Sequence, residues 1–152
     1  MRIHLVAIGK LKAGPLKNLE QYYAGRIGWK LVIREITAKR KLPPPELRQH
    51  EGALLLDSCP KDAVLVALDE RGKALASLEF AQRLGQWRDG GARDLAFLIG
   101  GAEGLSESVK RRAALVLSLG PATWPHFLAR GMLLEQIYRA ETLLAGHPYH
   151  RE

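Results

Sequence analysis

The segment Ile99-Gly100-Gly101-Ala102-Glu103-Gly104-Leu105 joins an apolar run to a helix-like one, and its glycines suit a ligand-binding turn. Glycine lets the backbone turn tightly and approach a bound molecule, and open α/β sheets bind ligands at the carboxyl ends of their strands. The spacing also restricts the ligand. Gly-Gly-x-x-Gly is not the dinucleotide pattern, Glu103 puts a negative charge where a pyrophosphate would lie, and no Gly-Lys-Ser/Thr follows. A ligand without phosphates, held by backbone groups and apolar walls, fits better. The plainer alternative is a turn that merely needs positive φ.

A second loop, Leu117 to Trp124, leaves one strand and enters a long helix. It is expected at the same sheet edge as the glycine loop and Leu68-Asp69, so that three strand ends form one pocket with Leu68, Leu119 and Trp124 as apolar walls; Trp124 as core filler is the alternative. The helix then brings His126, Arg130, Glu135 and Arg139. Glu135 and Arg139 are spaced for an i,i+4 salt bridge. His126 and Arg130 share that spacing but cannot pair with each other, and two potential cations near a helix start suggest an RNA phosphate or base contact. The segment His147-Pro148-Tyr149-His150-Arg151-Glu152 combines a proton-handling imidazole, a hydroxyl and a cation, which suits a pocket; a frayed end is the alternative. His147 and His150 lack further ligands at recognisable spacing, so no metal is expected.

These groups need a scaffold. Ile3 to Ile8, Leu31 to Ile36, Ala63 to Leu68, Leu95 to Ile99 and Leu115 to Leu117 read as strands. Helices are expected over Leu16 to Ile27, Pro45 to Asp57, Ser77 to Trp87, Leu105 to Arg112 with Ser106 as cap, and Pro125 to Ala145 before Gly146. Asp69-Glu70-Arg71-Gly72 reads as a polar turn. The apolar runs do not alternate, which implies an α/β fold with a mainly parallel sheet covered by helices on both faces. The last helix, ~30 Å long at ~1.5 Å per residue, is apolar around most of its circumference. One sheet cannot cover it, so packing against a second subunit as well is expected.

Bulk properties set the outer bounds. The 152 residues, 47% of them apolar, suit one domain with a real core. Lys plus Arg number 23 against 16 acidic residues, a net charge of +7 that favours an anionic partner such as nucleic acid. A basic enzyme with no such partner is the alternative. The densest cluster, Lys39-Arg40-Lys41, is too short for a polybasic-tail argument. The lone Cys59 offers neither a disulfide framework nor a thiolate metal site. No run approaches ~20 apolar residues, and Met1 to Gly9 reads as a strand rather than a secretory signal, so a cytoplasmic protein is expected.

Taken together, Leu68-Asp69-x-x-Gly72, Leu98-Ile99-Gly100-Gly101-x-x-Gly104, Leu117-Ser118-Leu119 with Thr123-x-Pro125-His126, Glu135-Gln136-x-Tyr138-Arg139-Ala140 and Pro148-Tyr149-His150-Arg151 resemble a known family. It is the bacterial 23S rRNA pseudouridine-N3 methyltransferases, the RlmH family of the SPOUT class. The resemblance covers the chain in length and order. It implies one domain over residues 1–152, a C-terminal trefoil knot, an obligate homodimer and S-adenosylmethionine as methyl donor. The donor would be held by Leu68, by Gly100, Gly101 and Gly104, and by Leu119, Gly120, Pro121, Ala122, Thr123 and Trp124. The implied substrate is a pseudouridine of 23S rRNA in the assembled ribosome.

That chemistry has requirements of its own. The N3 position is an imide N–H whose lone pair is delocalised, so it attacks a sulfonium methyl poorly until the proton leaves. The site needs a base or a cation that stabilises the imide anion, together with in-line positioning. His150 is expected to accept or relay the proton, Arg151 to stabilise the anion, and Tyr149 to stack on or hydrogen-bond the base. His126, Arg130 and Arg139 are expected as supporting or RNA-contacting groups, and one subunit's final segment to complete the other's pocket. A non-catalytic RNA-binding or ribosome-assembly factor is the competing reading. A hydrolase using Asp69 and Glu70 lacks a nucleophile motif.

Overall fold

A computed structural model of the protein describes residues 1–149. Strand β1 (Arg2–Ile8) leads to helix α1 (Pro15–Ala24), β2 (Lys30–Ile36), α2 (Pro44–Asp57), β3 (Val64–Ala74) and α3 (Ser77–Asp89). Then come β4 (Asp94–Ile99), α4 (Glu107–Arg112), β5 (Leu115–Ser118) and α5 (His126–Ala145). The strands form one five-stranded sheet, ordered β2-β1-β4-β3-β5 and parallel at every pairing. All carboxyl ends therefore share one edge, where the loops that follow the strands gather.

The absence of alternation in the apolar runs has its cause in two covered faces. Alternate residues of a strand point to opposite sides. Ile3, Leu5 and Ala7 of β1 join Phe97, Phe80 and Leu84 and the α5 residues Leu133, Leu134 and Ile137 in one core. Val6 and Ile8 enter a second, smaller core with Leu55 of α2 and Val109 of α4. Burying one such aliphatic side chain contributes roughly 1.5–3 kcal/mol.

Helix ends follow local chemistry. Proline occupies the first turn of α1 and α2, where its missing N–H costs nothing. The Ser106 Oγ accepts the Val109 N–H at the start of α4. Gly146, at φ 70°, closes α5 in the left-handed conformation that glycine adopts without strain. Helix α1 stops at Gly25, short of the expected Ile27.

One expectation is corrected. Asp69-Glu70-Arg71-Gly72 is not a turn that ends the third strand. Leu68 and Lys73 both pair with Leu117 of β5, so the four residues between them form an excursion from the ladder and β3 resumes through Ala74. At Gly72 a Cβ would lie 2.6 Å from the Val116 carbonyl oxygen, so the returning chain passes β5 too closely for any side chain.

Candidate functional site

Three strand ends converge as expected. The excursion in β3, the loop after β4 and the loop after β5 enclose a cavity of about 490 Å³, within the usual range for a small-molecule site. Its apolar wall includes Leu68, Ile99, Leu117, Leu119 and Trp124, and its floor is backbone from Gly100, Gly101, Gly104, Gly120, Ala122 and Thr123. Of the sequence-predicted ligand residues, Pro121 alone does not line it. Trp124 is not core filler: it is 42% exposed, and its indole N–H donates to the Leu119 carbonyl, holding the second loop in shape.

The glycine loop is built for backbone contact. A Cβ at Gly100 would meet the Gly104 carbonyl carbon and oxygen at 2.7 Å. Gly101 and Gly104 bridge each other, and Gly104 and Gly120 have φ of 79° and 112°. The charged lining is mixed, with Asp69, Glu70 and Glu103 beside Arg48, Arg71 and Lys110. The Glu70 carboxylate accepts the Thr123 hydroxyl at 2.7 Å, and Lys110 is spent on Asp69 and Glu107.

Below the loop, Glu51 of α2 is buried with its Oε1 unpartnered, and burial, then Glu103, raises its pKa. Its carboxyl would lie 3.2 Å from a Cβ at Gly101. Glycine at that position leaves room for the acid, and nothing in local sequence patterning singled Glu51 out.

His126 and Arg130 are expected from sequence as supporting or RNA-contacting groups, and the geometry of Arg130 is that of a support. Arg130 is fully buried. Its Nη1 donates to Glu35 Oε2 at 2.6 Å, and its Nη2 donates to the carbonyls of Ile8 and Gly9. Glu20 stands 3.8 Å away. The guanidinium thus ties α5 to the end of β1, to β2 and to α1, and it has no reach to an RNA. His126 lines the cavity and packs against Phe127, but burial, then the Arg130 charge, lowers its pKa. Both effects favour the neutral imidazole over the cation. The partners of Arg130 lie far away in sequence, where helical spacing cannot reveal them.

Arg139 and Glu135 form the expected i,i+4 pair, with Nη2 to Oε1 at 2.6 Å. Tyr149 lies over this pair. Its hydroxyl donates to Glu135, its ring packs on Tyr138 at 4.5 Å, and the Arg139 guanidinium is 5.2 Å from the ring centre. Burial, then Glu135 and Tyr23, push the phenol up to about 12, so Tyr149 is a donor and not a base at neutral pH. With ~1.5 Å of rise per residue, Glu135 and Arg139 stand roughly 14–20 Å along α5 from His126. Glu135, which accepts the Tyr149 hydroxyl, lines a second cavity that shares Leu117, Leu119 and Gly120 with the first. His150 and Arg151 lie outside the described residues.

Among the described residues no group of three or more His, Cys, Asp or Glu side chains could hold a metal ion, and no helix is long and apolar enough to cross a membrane.

Comparison with known proteins adds relatives to this geometry. The family model described as "Predicted SPOUT methyltransferase" matches residues 1–150. The chain is 56% identical over 151 residues to a Rhodospirillum centenum protein named Ribosomal RNA large subunit methyltransferase H, covering 99% of each chain. A Paramagnetospirillum magneticum protein of the same name is 49% identical over 151 residues, again covering 99% of each. Among solved structures, a probable methylase family protein from Haemophilus influenzae superposes with a TM-score of 0.60 at 11% identity, over 99% of this chain and 70% of that one. The SpoU methyltransferase AviRb from Streptomyces viridochromogenes, in complex with AdoMet, gives 0.50 at 14% identity, over 91% and 57%. At such identities the two structures speak to the fold.

Proposed function

The chain belongs to the SPOUT methyltransferase family, and from that premise we propose that it transfers a methyl group from S-adenosylmethionine to N3 of a pseudouridine in large-subunit ribosomal RNA, on the assembled ribosome. The full-length relatives named as large-subunit rRNA methyltransferases support the RNA class. The observation that carries the reading is that one cavity gathers Leu68, the glycine loop and Leu119 to Trp124, less Pro121. Its size, apolar wall and glycine backbone fit a nucleoside, and Asp69, Glu70 and Glu103 in its lining offer carboxylates to a sulfonium or an ammonium.

S-adenosylmethionine would supply an electrophilic methyl on a positively charged sulfur. The chain's own residues would do the rest. Leu68, Leu119 and Trp124 would enclose the apolar part of the donor and exclude water, and the floor from Gly100 to Gly104 would present backbone groups to its polar edges. His150 would take the N3 proton as the N–CH3 bond forms and the S–CH3 bond breaks, leaving a neutral thioether. Arg151 would hold the imide anion, and Tyr149 would position that segment through Glu135 and Arg139.

This reading includes a homodimer of one-domain chains (residues 1–152), the trefoil knot of the family, and a cytoplasmic site of action. Two observations support the dimer. Leu128, Met132 and Tyr138 of α5 are only half-buried by the chain's own elements. Tyr149 docks on Glu135, roughly two and a half turns along α5 from His126, which favours a final segment that completes the partner's site.

Calorimetry with S-adenosylmethionine, with S-adenosylhomocysteine as competitor, tests the donor. Mass spectrometry of rRNA after reaction with labelled donor tests the target. Binding and a methylated pseudouridine are expected, while no heat of binding would favour the RNA-binding factor instead. Full methylation by both His150→Ala and Arg151→Ala on pseudouridine-containing ribosomes would overturn the catalytic assignment.

A further inference from the structure

The cluster Lys39-Arg40-Lys41 carries little meaning in sequence, but the fold gives it neighbours. Strands β1 and β2 run parallel with Ile8 opposite Ile36, and the Gly9 N–H donates to the Ile36 carbonyl. The loops that follow them therefore leave the sheet side by side, at the edge that carries the cavity. In the first loop Leu11 is buried and its N–H is fixed to the Glu35 carboxylate at 2.7 Å, while Lys10 and Lys12 on either side are exposed. In the second, Lys39, Arg40 and Lys41 are all exposed.

Among the described residues no ion pair engages any of these five cations. At the opposite edge Arg2 is spent on Asp94 and Arg88 on Asp89, while Lys30, Lys61 and Arg93 are spread over separate loops and strand starts. The basic loops also adjoin the cavity. A Cβ at Gly9 would lie 3.9 Å from Nε2 of the cavity-lining His126, and Arg48 of α2, which follows the second loop, lines the same cavity.

We propose that Lys10, Lys12, Lys39, Arg40 and Lys41 form a basic rim that binds the RNA phosphate backbone beside the target nucleotide and orients that nucleotide over the cavity. The proposal rests on the RNA methyl-transfer reading and adds to it the surface that the substrate occupies. Flexible cations on two loops suit a backbone whose charge is regular but whose sequence goes unread, which agrees with recognition of RNA by shape. Arg48 of α2, just after the second loop, lines the cavity and continues this positive surface towards the reacting position.

The test compares the wild-type chain with K10Q/K12Q/R40Q/K41Q and with K30Q/K61Q/R88Q/R93Q, which removes four exposed cations from the opposite edge. Binding of a fluorescein-labelled RNA stem-loop is titrated between about 50 and 200 mM salt. Each phosphate contact contributes about 0.7–0.9 to the slope of log K against log salt, so the rim variant should lose about 3 units of slope or more. The opposite-edge variant should lose less than about 1. With large ribosomal subunits the rim variant should show a KM raised about tenfold or more at little-changed kcat.

Unchanged S-adenosylmethionine affinity and circular dichroism would exclude misfolding. Equal slopes for the rim variant and wild type overturn the proposal even if methyl transfer is intact. A loss of affinity for subunits with RNA binding unmoved also overturns it, since the rim would then face a ribosomal protein. If the wild-type chain fails to bind S-adenosylmethionine, the methyltransferase reading falls, and the slope comparison still decides the rim.

Discussion

Replacing Arg130 by Met tests how the N-terminal end of α5 is held at the cavity. The substitution keeps the length of the aliphatic stem but removes a buried guanidinium that makes a 2.6 Å ion pair with Glu35 and donates to two backbone carbonyls. Breaking a buried ion pair from one side costs about 3–5 kcal/mol, because the remaining charge is left uncompensated. The Glu35 side chain is 22% exposed and keeps the Leu11 N–H, so the lower part of that range applies, about 3–4 kcal/mol. At about 2–4 °C per kcal/mol for a chain of this size, the melting temperature should fall by about 6–16 °C.

The pH dependence gives a sharper test. Burial raises the Glu35 carboxyl, but the Leu11 N–H and Arg130 outweigh it and leave the pKa lowered. A lowered carboxyl pKa contributes stability that is present above the unfolded value and lost as pH falls through the folded one. Burial raises the Glu20 pKa despite Arg130, so that group is least unfavourable when protonated. Both effects make the variant's deficit largest at neutral pH and smaller towards pH ~4, near the unfolded glutamate value. Urea denaturation of both proteins from neutral to acid pH measures this. A deficit below about 0.5 kcal/mol at neutral pH, the size of an ordinary surface substitution, or one that grows on acidification, would refute the reasoning. Arg130→Lys should recover only part of the loss, since an ammonium cannot reproduce the planar fork that reaches Glu35 and both carbonyls together.

Gly100→Ala should lower S-adenosylmethionine affinity by about tenfold or more and cost about 1–3 kcal/mol of stability, as read by calorimetry and urea titration, because its Cβ would meet the Gly104 carbonyl at 2.7 Å. Asp94 is held below the usual carboxylate range by His4 first and then Arg2, against the effect of burial. Asp94→Asn should therefore cost about 1–3 kcal/mol at neutral pH, with the difference vanishing as acid protonates the wild-type carboxylate. His150→Ala should slow single-turnover methylation by about 10²–10⁴ without changing donor affinity. Mixed with the Gly100→Ala chain, at a donor concentration too low to load that chain's cavity, it should recover activity if the final segment works in the partner's site. No recovery would place that segment in its own subunit.

Composition, apolar runs and turn residues determined much of this protein without help from the structure. Uninterrupted apolar strands demand two covered faces, so β1, β3 and β4 and the helix layers were legible from pattern alone. Prolines at helix starts, Ser106 and Gly146 marked ends through interactions within a few residues. The glycine loop was legible too, since a strand followed by closely spaced glycines already constrains the backbone. The pairing of Glu135 with Arg139 was another contact of short range.

The order of the strands decided the rest, because it alone brings distant residues together. Arg130 has the spacing of a second helix-surface cation after His126, yet Glu35, 95 residues earlier, turns it into a buried tie. Asp69 to Gly72 has turn composition, but Leu117 pairs on both sides of it and draws the chain back into the sheet. Glu51 and the five basic-rim residues acquire roles only from what the sheet edge sets beside them. Local sequence fixes backbone preferences over one or two helical turns. The partner of a charge, and whether that charge meets water, is set by which strands lie next to each other.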